Sequence, residues 1–433
     1  MSSSAPLIAA SELERRGVLL IQDGNHGEYR PLPTEFVDFG TSFVRAADLD
    51  GGQIAFSRAS RINATALARI RKGIGKPGDT ILSHKGTVGR VAFASLQCEP
   101  FVCSPQTTFW RSLDEHVLDR RYLFAYLRSP VFQQQLDALM HESDMAPYVS
   151  LTVQRTLKVL LPPIAEQRRI AGALGALDDK IGHNATLAKH LEAFARLIFE
   201  RGFSDKLERC AAIPLGEAVG VIETGRRPKG GVSSYKTGVP SVGAESILGL
   251  GLFDYSKTKY VPNKFFAEMK TGRVSDRDVL LYKDGGRPGM FEPHVTLVGE
   301  GFPFSEFCIN EHVYRLRVRE PYTQEFLYFW LTSDVVMEEM RRRGTGVAIP
   351  GLNSTALRGL PLPVLDAAEL VSFTEKVKDV VTLVLRNSAQ ARKLEQLRDL
   401  LVPGLISGRI RVPDSFDPDD VLGTIAEQAG IPA

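Results

Sequence analysis

A short hydrophobic strand running into a glycine loop occurs twice in this chain, 199 residues apart. The first copy is Gly78-Asp79-Thr80-Ile81-Leu82-Ser83-His84-Lys85-Gly86, and the second is Arg277-Asp278-Val279-Leu280-Leu281-Tyr282-Lys283-Asp284-Gly285. Two further landmarks return at nearly the same offset. Arg121-Tyr122-Leu123-Phe124-Ala125-Tyr126-Leu127-Arg128-Ser129 recurs 204 residues later as Glu325-Phe326-Leu327-Tyr328-Phe329-Trp330-Leu331-Thr332-Ser333. Leu160-Leu161-Pro162-Pro163 recurs 201 residues later as Pro361-Leu362-Pro363-Val364. Self-similarity at a fixed period means that one structural unit is used twice, and the small drift is what insertions in loops produce.

Each copy ends in a long stretch of helical periodicity. Pro163 suits the start of a helix, and no proline follows it as far as Arg201. Apolar positions then alternate by four and three: Ile170, Leu174, Leu177 and Ile181, followed by Asn184, Ala188, Leu191, Ala195 and Ile198. That is a heptad seam, the pattern for packing on one partner helix, and Gly202 is placed to end it. The second stretch opens at Asp366, with Glu369 completing a capping box. Its seam runs Phe373, Val377, Val380, Val384, Asn387, Ala391, Leu394, Arg398 and Leu401, before Pro403-Gly404 stops it. Asparagine matches asparagine and alanine matches alanine at an offset of 203. Two independent amphipathic surface helices would not need that matched phase. An antiparallel pair is expected, roughly 55–60 Å long at the usual rise per residue, with Asn184 and Asn387 in contact across it.

The rest of each copy is rich in strands and turns. Thr80–Ser83, 90–93 and 107–111 read as strands in the first, and 238–242, Val279–Tyr282 and Val313–Val318 in the second. The expected fold is α+β: two similar domains separated by an antiparallel pair of long coiled-coil helices and related by a pseudo-twofold. The expected boundaries are a first domain at 1–163, a long helix at 164–204, a second domain at 205–364, a second long helix at 365–411 and an acidic, proline-containing tail at 412–433.

Lysine and arginine exceed the acidic residues by only two, so any phosphate-binding surface must be local. Four cysteines, Cys98, Cys103, Cys210 and Cys308, are too few for a disulfide framework; Cys98 and Cys103 read as buried thiols. With no apolar run long enough to span a bilayer and no signal-peptide pattern in Met1-Ser2-Ser3-Ser4-Ala5-Pro6, a cytoplasmic location without membrane contact is expected.

Enzyme chemistry is not evident. An adenine methyltransferase needs an Asn/Asp-Pro-Pro-aromatic motif for the flipped base, and neither Asn-Pro-Pro nor Asp-Pro-Pro occurs. A motor needs Gly-x4-Gly-Lys-Ser/Thr, and Gly73-Ile74-Gly75-Lys76-Pro77 is a turn instead. Asp178-x-Lys180 could suggest a nuclease, and Asp179, His183 and His190 a helical metal site. Both sets lie on the heptad helix, where polar residues facing solvent or another subunit are the plainer reading. No catalytic residue, metal or cofactor is expected.

Leu161-Pro162-Pro163-Ile164-Ala165-Glu166-Gln167-Arg168-Arg169-Ile170 resembles the central signature of the specificity subunits of type I restriction–modification systems. Gly86-Thr87-Val88-Gly89-Arg90 resembles the glycine-threonine-x-glycine loop of their target-recognition domains. Leu215-Gly216-Glu217 through Thr224-Gly225-Arg226-Arg227-Pro228 resembles the opening of a second such domain, and Asp23-Gly24-Asn25-His26-Gly27 a variant opening of the first. The second junction, Pro363-Val364-Leu365-Asp366-Ala367-Ala368-Glu369, and the second loop, Asp284-Gly285-Gly286-Arg287-Pro288-Gly289, depart from the pattern. The resemblance implies a non-catalytic reader of double-stranded DNA. Each domain would take half of a bipartite target, the helices would dock two methyltransferase subunits, and a restriction/translocase subunit would join for cleavage. A specificity module of another DNA-modifying defence system, or a stand-alone regulator, is the alternative. Glycine loops allow close approach to phosphate, and flanking cations supply charge. The candidate DNA contacts are therefore His84, Lys85, Thr87 and Arg90 in the first copy, and Arg226, Arg227, Lys229, Lys283 and Arg287 in the second, with the basic run Arg341, Arg342 and Arg343.

Overall fold

The computed structural model describes residues 5–24, 29–140, 147–287, 289–299, 301–344, 346 and 350–413, without the side chains of Glu208 and Arg287. The acidic tail from Asp414 onward, Asn25-His26-Gly27 and the Arg287 side chain thus lie outside the described residues. The chain divides into two compact units, Met1–Asp179 with Leu394–Ala433, and Lys180–Lys393.

In the first unit, strands β1 (Leu19–Asp23), β2 (Thr41–Val44), β3 (Thr80–Ser83), β4 (Val91–Phe93), β5 (Phe101–Cys103) and β6 (Thr107–Ser112) precede helix α1 (Arg120–Arg128). One sheet has antiparallel neighbours in the order β1-β6-β3-β4. In the other, β2 and β5 run parallel. β6 carries Trp110, which is buried edge-on to Phe132 at 5.6 Å between ring centroids. Asp79, the residue before β3, is also buried. It accepts the Lys76 amide at 2.7 Å and both arms of the Arg111 guanidinium at 2.7 Å, so its charge is paired and its lone pairs are used.

The second unit repeats this plan with β7 (Val219–Thr224), β8 (Val239–Val242), β9 (Val279–Tyr282), β10 (Val295–Leu297), β11 (Cys308–Ile309) and β12 (Val313–Val318). Its main sheet runs β7-β12-β9-β10, and β8 pairs parallel with β11. Asp278 takes the place of Asp79, accepting the Ser275 amide at 2.6 Å and Arg315 and Arg317 at 2.5 Å each. The preceding residue needs left-handed backbone in both units. Gly78 has φ +87°, and Arg277, at φ +62°, is the one non-glycine residue with positive φ among those described. A side chain there costs roughly 1–2 kcal/mol; Arg277 is held by Thr382 Oγ1 at 2.5 Å and by Gln324, which donates to its carbonyl at 2.7 Å.

Helix α2 spans Ile164–Arg209; after helices α3 (Gln324–Leu331) and α4 (Asp334–Arg343), helix α5 spans Ala367–Ile406. Neither expected stop ends its helix. α2 continues through Gly202 because Phe203 is buried in an aromatic cluster with Phe199, Phe326 and Phe373. α5 contains Pro403, and the burial of Leu401, Leu405 and Ile406 outweighs the missing amide. Asp366 caps α5 as expected, accepting the Ala368 amide at 2.8 Å, but Glu369 turns to Lys206 instead of closing the box.

The two helices pack antiparallel within each unit. Asp178 meets Arg398 in the first, and Asn184 meets Gln390 and Phe203 meets Phe373 in the second. Of the seam residues, Ile170, Leu174, Leu177, Asn184, Phe373, Val377, Val384 and Leu394 are buried, and Ile181, Leu191, Val380 and Asn387 are half-buried. The buried Asn184 amide finds its partner, but in Gln390 at 3.1 Å rather than in Asn387. The antiparallel register places Gln390, almost one turn beyond Asn387, opposite Asn184.

Gln167 of the proline-proline junction is fully buried at the start of α2. Its carboxamide accepts the Asp119 amide at 2.9 Å and donates to the Val117 and Pro162 carbonyls at 2.9 and 2.8 Å. Asp119 in turn caps α1, so one side chain ties both helix starts together. Replacing Gln167 by leucine keeps the volume but leaves three backbone groups without this partner, the Pro162 carbonyl among them in a buried bond, and should lower stability by about 1–3 kcal/mol. A denaturant midpoint unchanged from the native chain would contradict this role.

Candidate nucleic-acid interface

Three chain segments leave or enter one edge of the main sheet in each unit. In the first, Asp23 at the end of β1 and Ser83 at the end of β3 flank the start of β6. The segments beyond are tied by backbone bonds: Gly24 N to Thr107 O at 3.2 Å, His84 N to Gln106 O at 2.9 Å, and Gly86 N to Pro147 O at 3.0 Å. The second unit ties the corresponding three segments, with Gly225 N to Asn310 O at 3.1 Å, Lys283 N to His312 O at 2.9 Å, and Gly285 N to Pro350 O at 2.8 Å.

Glycine makes this convergence possible. A Cβ at Gly24 would lie 2.1 Å from the Ser104 carbonyl oxygen, and one at Gly225 would lie 1.6 Å from that of Ile309. A second glycine packs against each: a Cβ at Gly73 would lie 2.7 Å from Gly24 Cα, and one at Gly272 would lie 2.5 Å from Gly225 Cα. Gln22 accepts the Gly73 amide at 2.8 Å, and Glu223 accepts that of Gly272 at 2.9 Å. This contact brings in cations not nominated from the sequence, Arg71 beside Gly73, and Lys270 and Arg273 around Gly272, all exposed. Gly73 and Gly272 share the 199-residue offset of the strand motif, a signal that could have marked them.

The nominated residues divide by exposure. Lys85, Thr87 and Arg90 are exposed on the first glycine loop, with Lys85 Nζ 5.8 Å from the centre of the Tyr148 ring. His84 is not a surface residue. It is fully buried, with Nδ1 3.1 Å from the Val149 carbonyl, and packs the loop onto the sheet. Arg226, Arg227 and Lys229 are exposed, and Arg227 reaches Glu311 at 3.1 Å. Lys283 is half-buried, 3.4 Å from Asp284 Oδ2. Arg341, Arg342 and Arg343 close helix α4 with counter-charges beside them: Arg341 lies 3.4 Å from Glu292 and 3.5 Å from Glu338, and Arg342 and Arg343 each lie 2.6 Å from Glu339. The densest basic run in the sequence is therefore largely neutralised where it stands.

Asp178 and Asp179 on α2 are engaged in ion pairs. Asp178 lies between Arg128 at 3.0 Å and Arg398 at 2.8 Å, and Asp179 is 3.6 Å from Arg121. Among the described residues, no three His, Cys, Asp or Glu side chains form a metal-sized group. Cys103 and Cys308 are buried in β5 and β11, where burial pushes the Cys308 thiol up to about 11.

Residues 34–193 match the family described as the type I restriction modification DNA specificity domain. The chain is 21% identical over 324 residues to the type I restriction enzyme MjaVIII specificity subunit of Methanocaldococcus jannaschii, covering 68% of this chain and 71% of that protein. Its fold is similar to the crystal structure of the S subunit of a type I restriction–modification system from M. genitalium, with a TM-score of 0.51 and 15% identity over 96% of this chain and 98% of that one.

Alanine at Gly225 cannot enter without moving the opening loop off Ile309. The expected cost is about 1–3 kcal/mol, as for overpacking elsewhere, together with weaker duplex binding as Arg226 and Arg227 shift. Denaturant unfolding and DNA titration of Gly225→Ala measure both; native values for both would contradict the close-packed loop.

Proposed function

We propose that this chain, which belongs to the family of type I restriction–modification specificity subunits, acts within its complex by reading a bipartite DNA target. The observation that carries this reading is the same cation-bearing strand-end cluster built twice on one scaffold. Residues 1–163 and 205–364 are taken as the two recognition domains, with 164–204 and 365–411 as the helical spacer between half-sites. The chain contributes recognition only. Methyl transfer to adenine belongs to two methyltransferase subunits, and translocation and cleavage belong to a restriction subunit. No described helix is long and apolar enough to cross a membrane.

Exposed Lys and Arg beside glycine loops can approach phosphates and displace counterions, which makes binding salt-dependent. Thr87 and the backbone of its loop suit phosphate contact as well, while Arg227 can reach a base edge, where arginine pairs with guanine.

The purified chain alone should neither methylate nor cleave DNA, and with its methyltransferase subunit it should direct methylation to a split sequence. Removing Arg226 and Lys229 together as alanines should weaken binding alike on all sequences. Each lost phosphate contact should reduce the slope of log affinity against log salt by about one. Methyl transfer by the lone chain would refute the division of labour, and an unchanged slope would remove these two residues from the interface.

A further inference from the structure

Matched positions on the two strand-end clusters hold different side chains on the same backbone frame. The amides of His84 and Lys283 bond to the carbonyls of Gln106 and His312, both at 2.9 Å. The next residues, Lys85 and Asp284, form antiparallel bridges to Tyr148 and Gly351. Lys85 is thereby the counterpart of Asp284, Gln106 of His312, and Pro105 of Glu311.

In the second unit these positions do not suit phosphate. Asp284 and Glu311 are carboxylates on an edge that also presents Arg226, Arg227 and Lys229, and like charge keeps them from the DNA backbone. They are cross-braced instead. His312 Nδ1 lies 3.1 Å from Asp284 Oδ2 and its Nε2 3.4 Å from Glu311 Oε1, while Arg227 Nε lies 3.1 Å from that same Glu311 oxygen. One side chain from each converging segment is held by the next. On a DNA-facing edge, a carboxylate can accept from the exocyclic amino group of cytosine, and an arginine it braces presents a fixed pair of donors to guanine. The first unit offers different chemistry. Gln106 is exposed, and its carboxamide matches the acceptor–donor pattern of adenine in the major groove, with exposed Lys85 suited to guanine.

Resting on the specificity-subunit reading above, we propose that Lys85 and Gln106 choose the bases of one half-site and that Asp284, Glu311 and His312 choose those of the other. Arg227, braced by Glu311, supplies the guanine donors of the second half-site, and Arg226 and Lys229 hold phosphate. The two half-sites then differ in composition, with adenine and guanine read by the first unit and a cytosine–guanine pair by the second.

The test uses the full chain assembled with its methyltransferase subunit and reads relative methylation rates over a library of randomised targets. Gln106→Ala should relax discrimination about tenfold at one base pair of the first half-site and leave the second half unchanged. Glu311→Gln combined with His312→Gln should do the reverse, and Arg226→Ala should slow methylation alike on every target. Unchanged preference in the Gln106 or the Glu311/His312 variant, or a change spread over both halves, would overturn the inference. If the unaltered chain directs no methylation, the specificity-subunit reading itself fails, and this inference falls with it.

Discussion

The carbonyl oxygen of Ile309 leaves no room for a side chain at position 225, and that of Ser104 leaves none at position 24. This close approach of backbone to glycine sets the form of the edge proposed to meet DNA. It lets the segment after the first sheet strand lie against the turn that starts the central strand. With that segment seated, the Gly73 and Gly272 loops pack on its outer side, and the glycine loops after β3 and β9 bond to the far side of the same turn. Cations far apart in sequence, such as Arg71 and Arg90, 19 residues apart, or Arg226 and Lys283, 57 apart, then share one edge without any strongly basic overall composition.

Two buried carboxylates hold the scaffold behind that edge, and both are paired. Asp79 and Asp278 sit before equivalent strands with guanidinium partners, one bidentate arginine in the first unit and two arginines in the second. Removing a partner from such a pair costs more than the pair contributes, because the remaining charge stays buried. Where the halves diverge, the solutions differ in kind. Gln167 joins the start of α2 to the cap of α1 through three hydrogen bonds, whereas Leu370, at the matching position of α5, is buried without a polar group and Thr374 bonds Thr323 at 2.7 Å instead. This difference explains why the second junction lacks the full motif: the polar knot has been replaced by an apolar contact.

Much of this was legible in the sequence. The strand-glycine landmarks mark equivalent strands, and the heptad spacing marks the buried faces of both long helices, because burial imposes its period on the residue pattern. Local stop signals were overruled where tertiary burial was larger, at Gly202 by Phe203 and at Pro403 by Leu405 and Ile406. The partner of Asn184 depended on a register shift of less than one turn, which no single-helix pattern encodes. Side-chain direction was the other blind spot. His84 follows a strand whose residues are buried on both faces, so its position in a loop motif did not imply exposure. Arg341, Arg342 and Arg343 looked like a free basic patch because Glu338 and Glu339, three and four residues away, become neighbours only on a helix.

The central claim is that one recognition scaffold, used twice, reads two separate halves of a DNA target on behalf of a modifying complex. Sequencing methylated adenines in the host genome, with and without this gene, tests it most directly. The expected result is a split motif, two short specified halves around an unread spacer of fixed length, that is methylated in the presence of the gene and unmethylated in its absence. An identical pattern of methylated adenines in both strains would contradict the account.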